Sequence, residues 1–578
     1  MTVAKMKIKS ISSFFSILLV IILINSQNCC AQVKSIILGR PTTNSITASV
    51  LFDQNVQFYF EYGIQSGVYS TTSIVTSNVI NVPDEIDLTN LSPNTQYYYR
   101  MQYKLATAAV FTPTPEYKFH TQRAPGSSFT FTIEADEHLY DVKGNPNMYK
   151  VTLANELADN PDFMLSLGDT FGDDHTPTTT TSADMDALHK DYRQYLGNIC
   201  HSVPFYFCLG NHEGENDYYL NVNGIYTTTT NSLPAAPNGI GVWGTNWRKY
   251  YYPNPFPNSF YSGNTTSENY GIGIPENYYS WTWGDALFVV LDVYRTEIYP
   301  GATPADGSKP QNWDWTLGYP QYQWMRNVLE TSTATHKFVF AHHTRGQGRG
   351  GIGTAAGFEW GGMGGNQYSF DANRPGWGKP IHQVFLDTGV DIFFQGHDHL
   401  FAKEQIGCIP STNCTSTNQV VYQEVPMPSD ITYNIGYTAN ANAYPNGNAM
   451  NGTGHIRVNV TPTCVTVDYV KAYMPVDATA LNPNGEVAFT YTLGTCVLET
   501  NEINQSNFWV YPNPVNETLY VNFDDKNSKH QFEILTLLGQ KIAQFNSTEF
   551  NTSSLPNGIY LLKIDGKTSW TKKIFIKH

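Results

Sequence analysis

The chain has 578 residues, more than one hydrophobic core usually holds, so we expect about two to four domains. Charged residues make up 14% and aromatic residues also 14%, a profile more typical of β-rich exported proteins than of cytosolic enzymes. The formal net charge of −15 disfavours nonspecific binding to nucleic acid or to anionic membranes, because both attract basic surfaces.

Residues 1–31 are predicted to be a secretory signal peptide. Lysines near the N-terminus precede the apolar run 11–24, and the small residues 29–31 follow it. The alternative is a membrane anchor, but the run is shorter than the roughly 20 residues that a spanning helix needs. No later segment is apolar enough to cross a bilayer, so we expect no transmembrane segment.

Residues 33–122 have the alternating pattern of a β-sandwich. Apolar and polar residues alternate in short runs such as 45–50 and 57–62, which are broken by Pro, Asn, Gly and Ser. Segment 91–100 resembles the L-x-P-x-T-x-Y stretch of fibronectin type III domains, which implies that Tyr97 closes a corner of the sandwich. We expect a fibronectin III-like spacer or dimerising domain, with a ligand-binding module as the alternative.

Residues 127–500 are predicted to form the next domain. Apolar runs of the parallel-sheet type alternate with helical segments, and further alternating strands follow residue 401, so a second sheet packed on the first is the simplest arrangement. The segments 213–280 and 345–378 are predicted to be functional loops. The predicted strands are 129–133, 163–167, 205–209, 287–291, 338–340 and 391–394, and the predicted helices are 148–158, 183–196 and 321–330.

Most of the predicted strands run directly into residue types that bind metal ions. Because the carboxyl ends of strands in an open α/β sheet share one edge, we expect these residues to converge. Oxygen and imidazole ligands without thiolate suit Fe, Zn or Mn, and a shared carboxylate such as Asp169 can bridge two cations. A single histidine after a strand is usually structural, but this ordered series favours a metal centre. The motifs are Asp136–His138, Asp169, Asn211–Glu213, His342–His343 and His397–His399.

The order D-x-H, G-D, G-N-H-E, H, G-H-x-H resembles that of the calcineurin-like metallophosphoesterases, and with the N-terminal sandwich the chain resembles their purple acid phosphatase branch. The resemblance implies an αββα catalytic domain with two metal ions, which hydrolyses phosphate monoesters by attack of a metal-bridging hydroxide. It also implies that His212 faces the substrate as a catalytic group. The implied ligands are Asp136, His138 and His399 for one ion and Asn211, His342 and His397 for the other, with Asp169 bridging them.

The chain departs from the purple acid phosphatase pattern at two places. Gly172 stands where that branch has the tyrosine that gives the purple colour, so we expect no purple enzyme and leave the metals unassigned among Fe, Zn and Mn. The distal substrate histidine has no clear counterpart, and Arg345 or Arg349 could bind phosphate instead; solvated loop arginines are the alternative.

Two further assignments stay open in the sequence. His342 is preferred over His343 as the metal ligand, which leaves His343 behind the ligands or on the substrate side. The cluster Asp173, Asp174 and His175 is predicted to be a solvated acidic loop.

The six cysteines that remain after cleavage of the signal peptide are predicted to form disulfides, as expected in an oxidising compartment. Metal binding by these cysteines is the alternative, which the lack of any CxxC motif disfavours. The pairs expected from close spacing, and then by elimination, are Cys200–Cys208, Cys408–Cys414 and Cys464–Cys496.

Residues 507–578 are predicted to be a separate small β unit. The motifs at 511–514, 538–540, 555–560 and 572–577 resemble those of the C-terminal sorting domain of type IX secretion. The resemblance implies that the type IX machinery is a partner and that the protein is secreted or cell-surface. An ordinary accessory β domain is the alternative.

These features together predict an exported hydrolase of phosphoric ester bonds, acting on a phosphorylated small molecule or macromolecule. A phosphodiesterase or nucleotidase on the same fold is the nearest alternative. A non-catalytic surface adhesin is disfavoured, because a binding module has no need of so complete a set of metal ligands. A glycan-processing enzyme is disfavoured because no paired acidic site stands out.

Overall fold

The computed structural model describes residues 33–221, 237–297, 312–344, 349–410, 412, 414–445, 448–496, 508–523, 531–536, 540–565 and 570–578. The predicted signal peptide lies outside these residues. The chain divides into two compact units, Met1–Cys496 and Val497–His578, and each is described by itself. Within the described ranges, no helix combines the length and the apolar character that a membrane crossing requires.

The first unit begins with a two-sheet β-sandwich. A three-stranded sheet has the order β1-β2-β6, and the second sheet has the order β4-β3-β7-β8, with β5 paired to β3 and β9 to β7. Alternate residues of β3 are buried, as the sequence pattern predicted. The strands are β1 Val33–Gly39, β2 Ile46–Phe52, β3 Val56–Gly63, β4 Thr71–Thr72, β5 Thr76–Asn78, β6 Asp84–Leu88, β7 Gln96–Leu105, β8 Thr112–Pro113 and β9 Tyr117–His120.

Tyr97 lies where the sequence predicted a corner. Its hydroxyl oxygen accepts a hydrogen bond from the Ser92 N–H at 2.8 Å, and its ring stacks on Phe119 with centroids 5.5 Å apart. The phenol thereby joins the start of β7 to the turn before it.

Two larger sheets follow. The first has the order β12-β11-β10-β22-β23-β24 and the second the order β13-β14-β15-β16-β19-β21-β20. A separate two-stranded sheet pairs β17 with β18. The strands are β10 Phe129–Glu134, β11 Phe163–Ser166, β12 Phe205–Phe207, β13 Ser262–Gly263, β14 Tyr279–Trp283, β15 Ala286–Val290, β16 His336–Phe340, β17 Met363–Gly364, β18 Gln367–Tyr368, β19 Ile392–Gln395, β20 Ala402–Ile406, β21 Val420–Glu424, β22 Gly454–Val460, β23 Cys464–Lys471 and β24 Val487–Gly494.

The two sheets face each other across an aromatic core. Phe131 and Phe163 of the first sheet meet Phe288 and Phe340 of the second, and the ring centroids of Phe131 and Phe288 are 5.2 Å apart. Neighbouring residues of a strand point to opposite faces, so Val339 of β16 faces away from this core and packs against helices instead.

Helices cover the outer faces of both sheets. Helices α1, α2 and α4 pack on the first sheet, and α5 and α9 pack on the second, which confirms the predicted αββα sandwich. The helices are α1 Pro146–Ala158, α2 Ser182–Leu196, α3 Asp217–Asn221, α4 Ile240–Tyr251, α5 Tyr319–Thr331, α6 Ile352–Ala355, α7 Phe358–Gly361, α8 Phe370–Asn373, α9 Ile381–Thr388 and α10 Ile435–Asn440, with 3₁₀ turns at Asn312–Asp314 and Ala441–Ala443.

Arg193, in α2, ties the sandwich to the αββα part of the unit. Its buried guanidinium donates to Ser35 Oγ, Ser49 Oγ and the Ser49 carbonyl, each at 2.9 Å, and also to the Tyr251 carbonyl. Burial lowers the pKa of Arg193 to about 10, so the group stays charged at neutral pH. The sandwich is therefore held to the first large sheet's outer helices by a charged group that water does not reach.

Two of the three predicted disulfides are present, Cys408–Cys414 and Cys464–Cys496. The predicted Cys200–Cys208 bridge was wrong, because both of these cysteines are buried free thiols. Cys200 lies among the residues that pack beneath the helices, whereas Cys208 faces the core between the two sheets. A strand therefore separates the two sulfur atoms, and closeness in sequence did not bring them together.

The second unit is a small β-sandwich around Leu519, Phe532, Leu562 and Ile574. Its sheets have the orders β25-β26-β29 and β28-β27-β30-β31. The strands are β25 Phe508–Tyr511, β26 Thr518–Phe523, β27 Gln531–Leu535, β28 Lys541–Phe545, β29 Glu549–Asn551, β30 Gly558–Asp565 and β31 Trp570–Ile576.

Candidate metal centre

Polar residues that follow separate strands converge at the ends of the two large sheets. Asp136 and Asp169 follow β10 and β11, which run parallel to each other. His342 and His397 follow β16 and β19, which are parallel neighbours in the other sheet. Since parallel strands end on the same side, their carboxyl ends bring these four side chains together.

Asp136, His138 and His399 form the first group of candidate ligands, with one ligand atom of each lying within 4.8 Å of the others. The Nε2 atoms of His138 and His399 are 3.1 Å apart, and His399 Nε2 lies 3.3 Å from Asp136 Oδ1. One cation can satisfy all three side chains at these separations.

Asp169, His342 and His397 form the second group, again with ligand atoms within 4.8 Å of one another. Asp169 Oδ2 lies 3.2 Å from His342 Nε2 and 3.9 Å from His138 Nε2 of the first group. The Asp169 carboxylate therefore stands between the two groups.

Four buried polar atoms at this place have no hydrogen-bond partner among the described residues: Asp136 Oδ1, Asn211 Oδ1, His342 Nε2 and His397 Nε2. Leaving such an atom unsatisfied costs about 1–3 kcal/mol. Carboxylate, amide and imidazole donors in this combination suit Fe, Zn or Mn, and cations here would satisfy all four atoms. The donor set thus fits two metal ions, and Asn211 immediately precedes His212, whose N–H donates to Asp169 Oδ1.

The backbone at the candidate ligands is unusual. Non-glycine residues rarely adopt positive φ, yet five candidate ligands do, which is a form of strain that concentrates at functional sites. Side-chain bonds hold these turns: Asp136 Oδ2 accepts the His397 N–H at 2.7 Å, and Asp169 Oδ1 accepts the His212 N–H at 2.8 Å. The φ values are 63° at Asp136, 46° at His138, 58° at Asp169, 80° at His397 and 60° at His399.

Glu213, the last residue of the G-N-H-E motif, shapes the loop that carries Asp169. Its buried carboxylate accepts hydrogen bonds from the N–H groups of Asp169 at 3.0 Å, Thr170 at 2.8 Å and Phe171 at 3.2 Å. It also accepts the Gly210 N–H at 2.5 Å. Glu213 therefore positions a candidate ligand without belonging to either group.

His212 lies beside the first group but outside it. Its ring centroid is 5.6 Å from that of His138, its Nδ1 lies 2.7 Å from Asp174 Oδ1, and 35% of its side chain is exposed. Burial lowers the pKa of His212, but the negative charges of Asp169 and Asp174 outweigh this effect and raise the pKa to about 10. His212 thus has an Nδ1 held by Asp174 and a partly exposed ring.

The solvated acidic loop predicted for residues 173–175 was wrong at two of its three positions. Asp173 is buried and pairs with His189 at 3.1 Å, and Asp174 is mostly buried against His212; only His175 is exposed. Asp174 is thus a site residue that the sequence did not reveal. Its sole signal was its position five residues after Asp169, which by itself does not separate it from a solvent-facing carboxylate.

The three residues predicted to bind substrate do not share one environment. Arg349 donates to Asp398 Oδ1 at 2.9 Å and to the His397 carbonyl, so its guanidinium holds the turn between the two groups. His343 is buried with Nε2 3.1 Å from the Gly350 carbonyl oxygen. Arg345 lies outside the described residues. Substrate binding by these three residues stays a prediction.

The calcineurin-like phosphoesterase family matches residues 129–401, and the secretion system C-terminal sorting domain matches residues 509–577. These matches confirm the predicted phosphoesterase and type IX sorting domains, and such a sorting domain indicates a secreted or cell-surface protein. The fibronectin likeness of the sandwich stays a prediction.

Two solved structures are similar to this chain. The structure of PhoD matches with a TM-score of 0.53 at 16% identity, covering 80% of this chain and 90% of that one. The purple acid phosphatase PPD1 from yellow lupin (Lupinus luteus) seeds matches with a TM-score of 0.51 at 14% identity, covering 81% of this chain and 74% of that one. No curated protein sequence matches the chain significantly. At these identities the likeness to both structures is one of fold.

Residues 129–401 are a calcineurin-like phosphoesterase domain, and the protein is accordingly a phosphoric ester hydrolase with a C-terminal secretion sorting domain.

Proposed function

We propose that the protein is an exported phosphatase that uses two metal ions to hydrolyse phosphate monoesters. The observation that carries this proposal is the position of Asp169, whose Oδ2 lies within 4 Å of a histidine nitrogen of each ligand group. A carboxylate in that place suits a bridge between two cations better than a structural role.

The first ion would be held by Asp136, His138 and His399, and the second by Asn211, His342 and His397, with Asp169 shared between them. Two metal ions in such a site lower the pKa of water and offset the charge of the phosphoryl group during an in-line displacement.

We assign to His212 the transfer of a proton to the leaving group. Asp174 contacts its Nδ1, so Nε2 is the ring nitrogen that would contact a substrate. The ring lies beside the first group, where a substrate phosphate would bring its ester oxygen. His212 would donate the Nε2 proton to that oxygen, and Asp174 would keep the imidazole in the orientation for this transfer.

The substrate is expected to be a small phosphate ester. The net charge of −15 opposes the approach of long polyanions, so nucleic acid is a poor candidate. The test is a substrate panel on the metal-loaded protein, comparing p-nitrophenyl phosphate and alkyl phosphates with bis(p-nitrophenyl) phosphate. We expect higher kcat/KM on the monoesters, and loss of turnover after chelation that returns when metal is restored. A preference for the diester would assign the site to a phosphodiesterase.

We also propose that the second unit directs type IX export and contributes nothing to the chemistry. Every candidate ligand and His212 lies in the first unit, as does the Cys464–Cys496 disulfide. Deletion of residues 497–578 should leave kcat/KM unchanged, while the protein stays in the periplasm of its own host. Cell fractionation with a phosphatase assay measures both effects. Normal surface delivery of the truncated protein would contradict the assignment.

A further inference from the structure

Tyr140 contacts the candidate ligand His138 on the side of the imidazole that faces away from the two ligand groups. Its hydroxyl oxygen lies 2.7 Å from His138 Nδ1. The other ring nitrogen of His138, Nε2, faces the first group, 3.1 Å from His399 Nε2 and 3.8 Å from Asp136 Oδ1. The phenol thus contacts the imidazole at the nitrogen that a cation would leave free.

Gly172 provides the space for this phenol. A Cβ atom built on Gly172 would lie 2.2 Å from Cγ and Cδ1 of the Tyr140 ring, far closer than atoms can approach. Gly172 also has a φ of 65°, a backbone conformation that other residues adopt at a cost. The Tyr140 ring therefore lies directly on the Gly172 backbone, and any side chain at position 172 would displace it.

We propose that Tyr140 is a positioning residue for His138 and that position 172 requires glycine because the Tyr140 ring rests on its backbone. The inference depends on the proposed function, since it concerns metal binding by His138. A neutral imidazole has one N–H, and an acceptor at Nδ1 holds that proton there. The Nε2 lone pair is then directed at the cation, and the ring cannot rotate away.

One other acceptor competes for the same nitrogen. Asp141 Oδ2 lies 3.3 Å from His138 Nδ1. The other oxygen of this carboxylate, Oδ1, accepts a hydrogen bond from the backbone N–H of Lys143 at 2.7 Å. The Tyr140 hydroxyl oxygen lies closer to His138 Nδ1 than Asp141 Oδ2 does, at 2.7 Å against 3.3 Å. The geometry assigns the main contact to Tyr140.

The first test removes only the hydroxyl. Tyr140→Phe should weaken metal binding about 10- to 100-fold, the range typical of lost outer contacts to a metal ligand, measured by chelator competition. Tyr252→Phe is the matched control, because it loses a buried hydroxyl bond of 2.8 Å to the His189 carbonyl without touching a ligand. It should change the melting temperature of the metal-free protein but not the metal affinity. Unchanged affinity in Tyr140→Phe, or an equal or larger loss in Asp141→Asn, would overturn the inference.

The second test asks whether Gly172 acts through Tyr140. Gly172→Ala should weaken metal binding in the wild-type background, because the new methyl group displaces the ring. In a Tyr140→Ala background the same change should cause a clearly smaller loss, since the clash with the ring is gone and only the cost of the positive φ at position 172 remains. Independent, multiplying losses would overturn the link between the two residues.

The wild-type protein separates failure of this inference from failure of the proposed function. A wild-type chain that binds two cations and hydrolyses monoesters, with a Tyr140→Phe variant of equal affinity, overturns the positioning role alone. A wild-type chain that binds no cation overturns the proposed function, and the positioning role with it.

Discussion

Asp169→Ala should abolish turnover and reduce the metal content of the purified protein. Asp169 is the residue whose carboxylate lies between both ligand groups, so its loss would remove a ligand from each ion at once. The decrease in kcat should exceed the roughly 100-fold that loss of an outer contact to a metal ligand typically causes. Metal analysis by mass spectrometry and kinetics on p-nitrophenyl phosphate measure the two effects.

Asp162→Asn is the matched control for this variant. Asp162 immediately precedes β11, whereas Asp169 lies beyond the other end of the strand. Asp162 forms an ion pair with Arg123 and accepts a hydrogen bond from the indole N–H of Trp283. Its substitution should lower thermal stability while both metals stay bound. Retention of half the activity by Asp169→Ala would contradict the two-metal proposal.

His212→Ala should keep both metals but lose far more rate on alkyl phosphates than on p-nitrophenyl phosphate. General acid catalysis increases the rate about 100- to 10,000-fold, and the increase is larger for poorer leaving groups. An alkoxide needs a proton as it leaves, whereas p-nitrophenolate needs little help. The ratio of kcat/KM between the two substrate types is therefore the quantity to measure.

Asp174→Asn should give the same selectivity with a smaller loss, because it leaves the imidazole in place and weakens only the contact at Nδ1. Thr178→Ala, at an exposed position further along the same loop, should change the rate on neither substrate. Equal losses on both substrates in His212→Ala would indicate that His212 stabilises the phosphoryl oxygens instead. Unchanged rates would remove it from the reaction.

The strands and the place of the site could be predicted because both follow from local patterns. Buried parallel strands are short apolar runs, and the residues after them must meet at one edge, so Asp136, Asp169 and His342 could be expected to converge before any distance was known. The packing of a second sheet on the first followed from the same patterns, whereas the αββα arrangement was implied by the resemblance to the calcineurin-like metallophosphoesterases.

The contacts that depend on distant packing could not be predicted. Spacing favoured a Cys200–Cys208 bridge, but the direction in which each side chain points depends on the sheet and its covering helices. Asp174 and Tyr140 had no motif of their own, since each acquires its contact only when the loops fold around His212 and His138. Sequence periodicity carries information about faces of elements, not about which loops meet.

Because five candidate ligands have positive φ values, metal binding and folding stability favour different residues at these positions. Glycine relieves the steric cost of such a conformation, so a ligand-to-glycine change at His399 could yield a metal-free protein at least as stable as the wild type. Selection of variants for heat resistance or solubility alone would then favour loss of the centre. Engineering of this enzyme therefore requires a screen that scores metal retention and folding together.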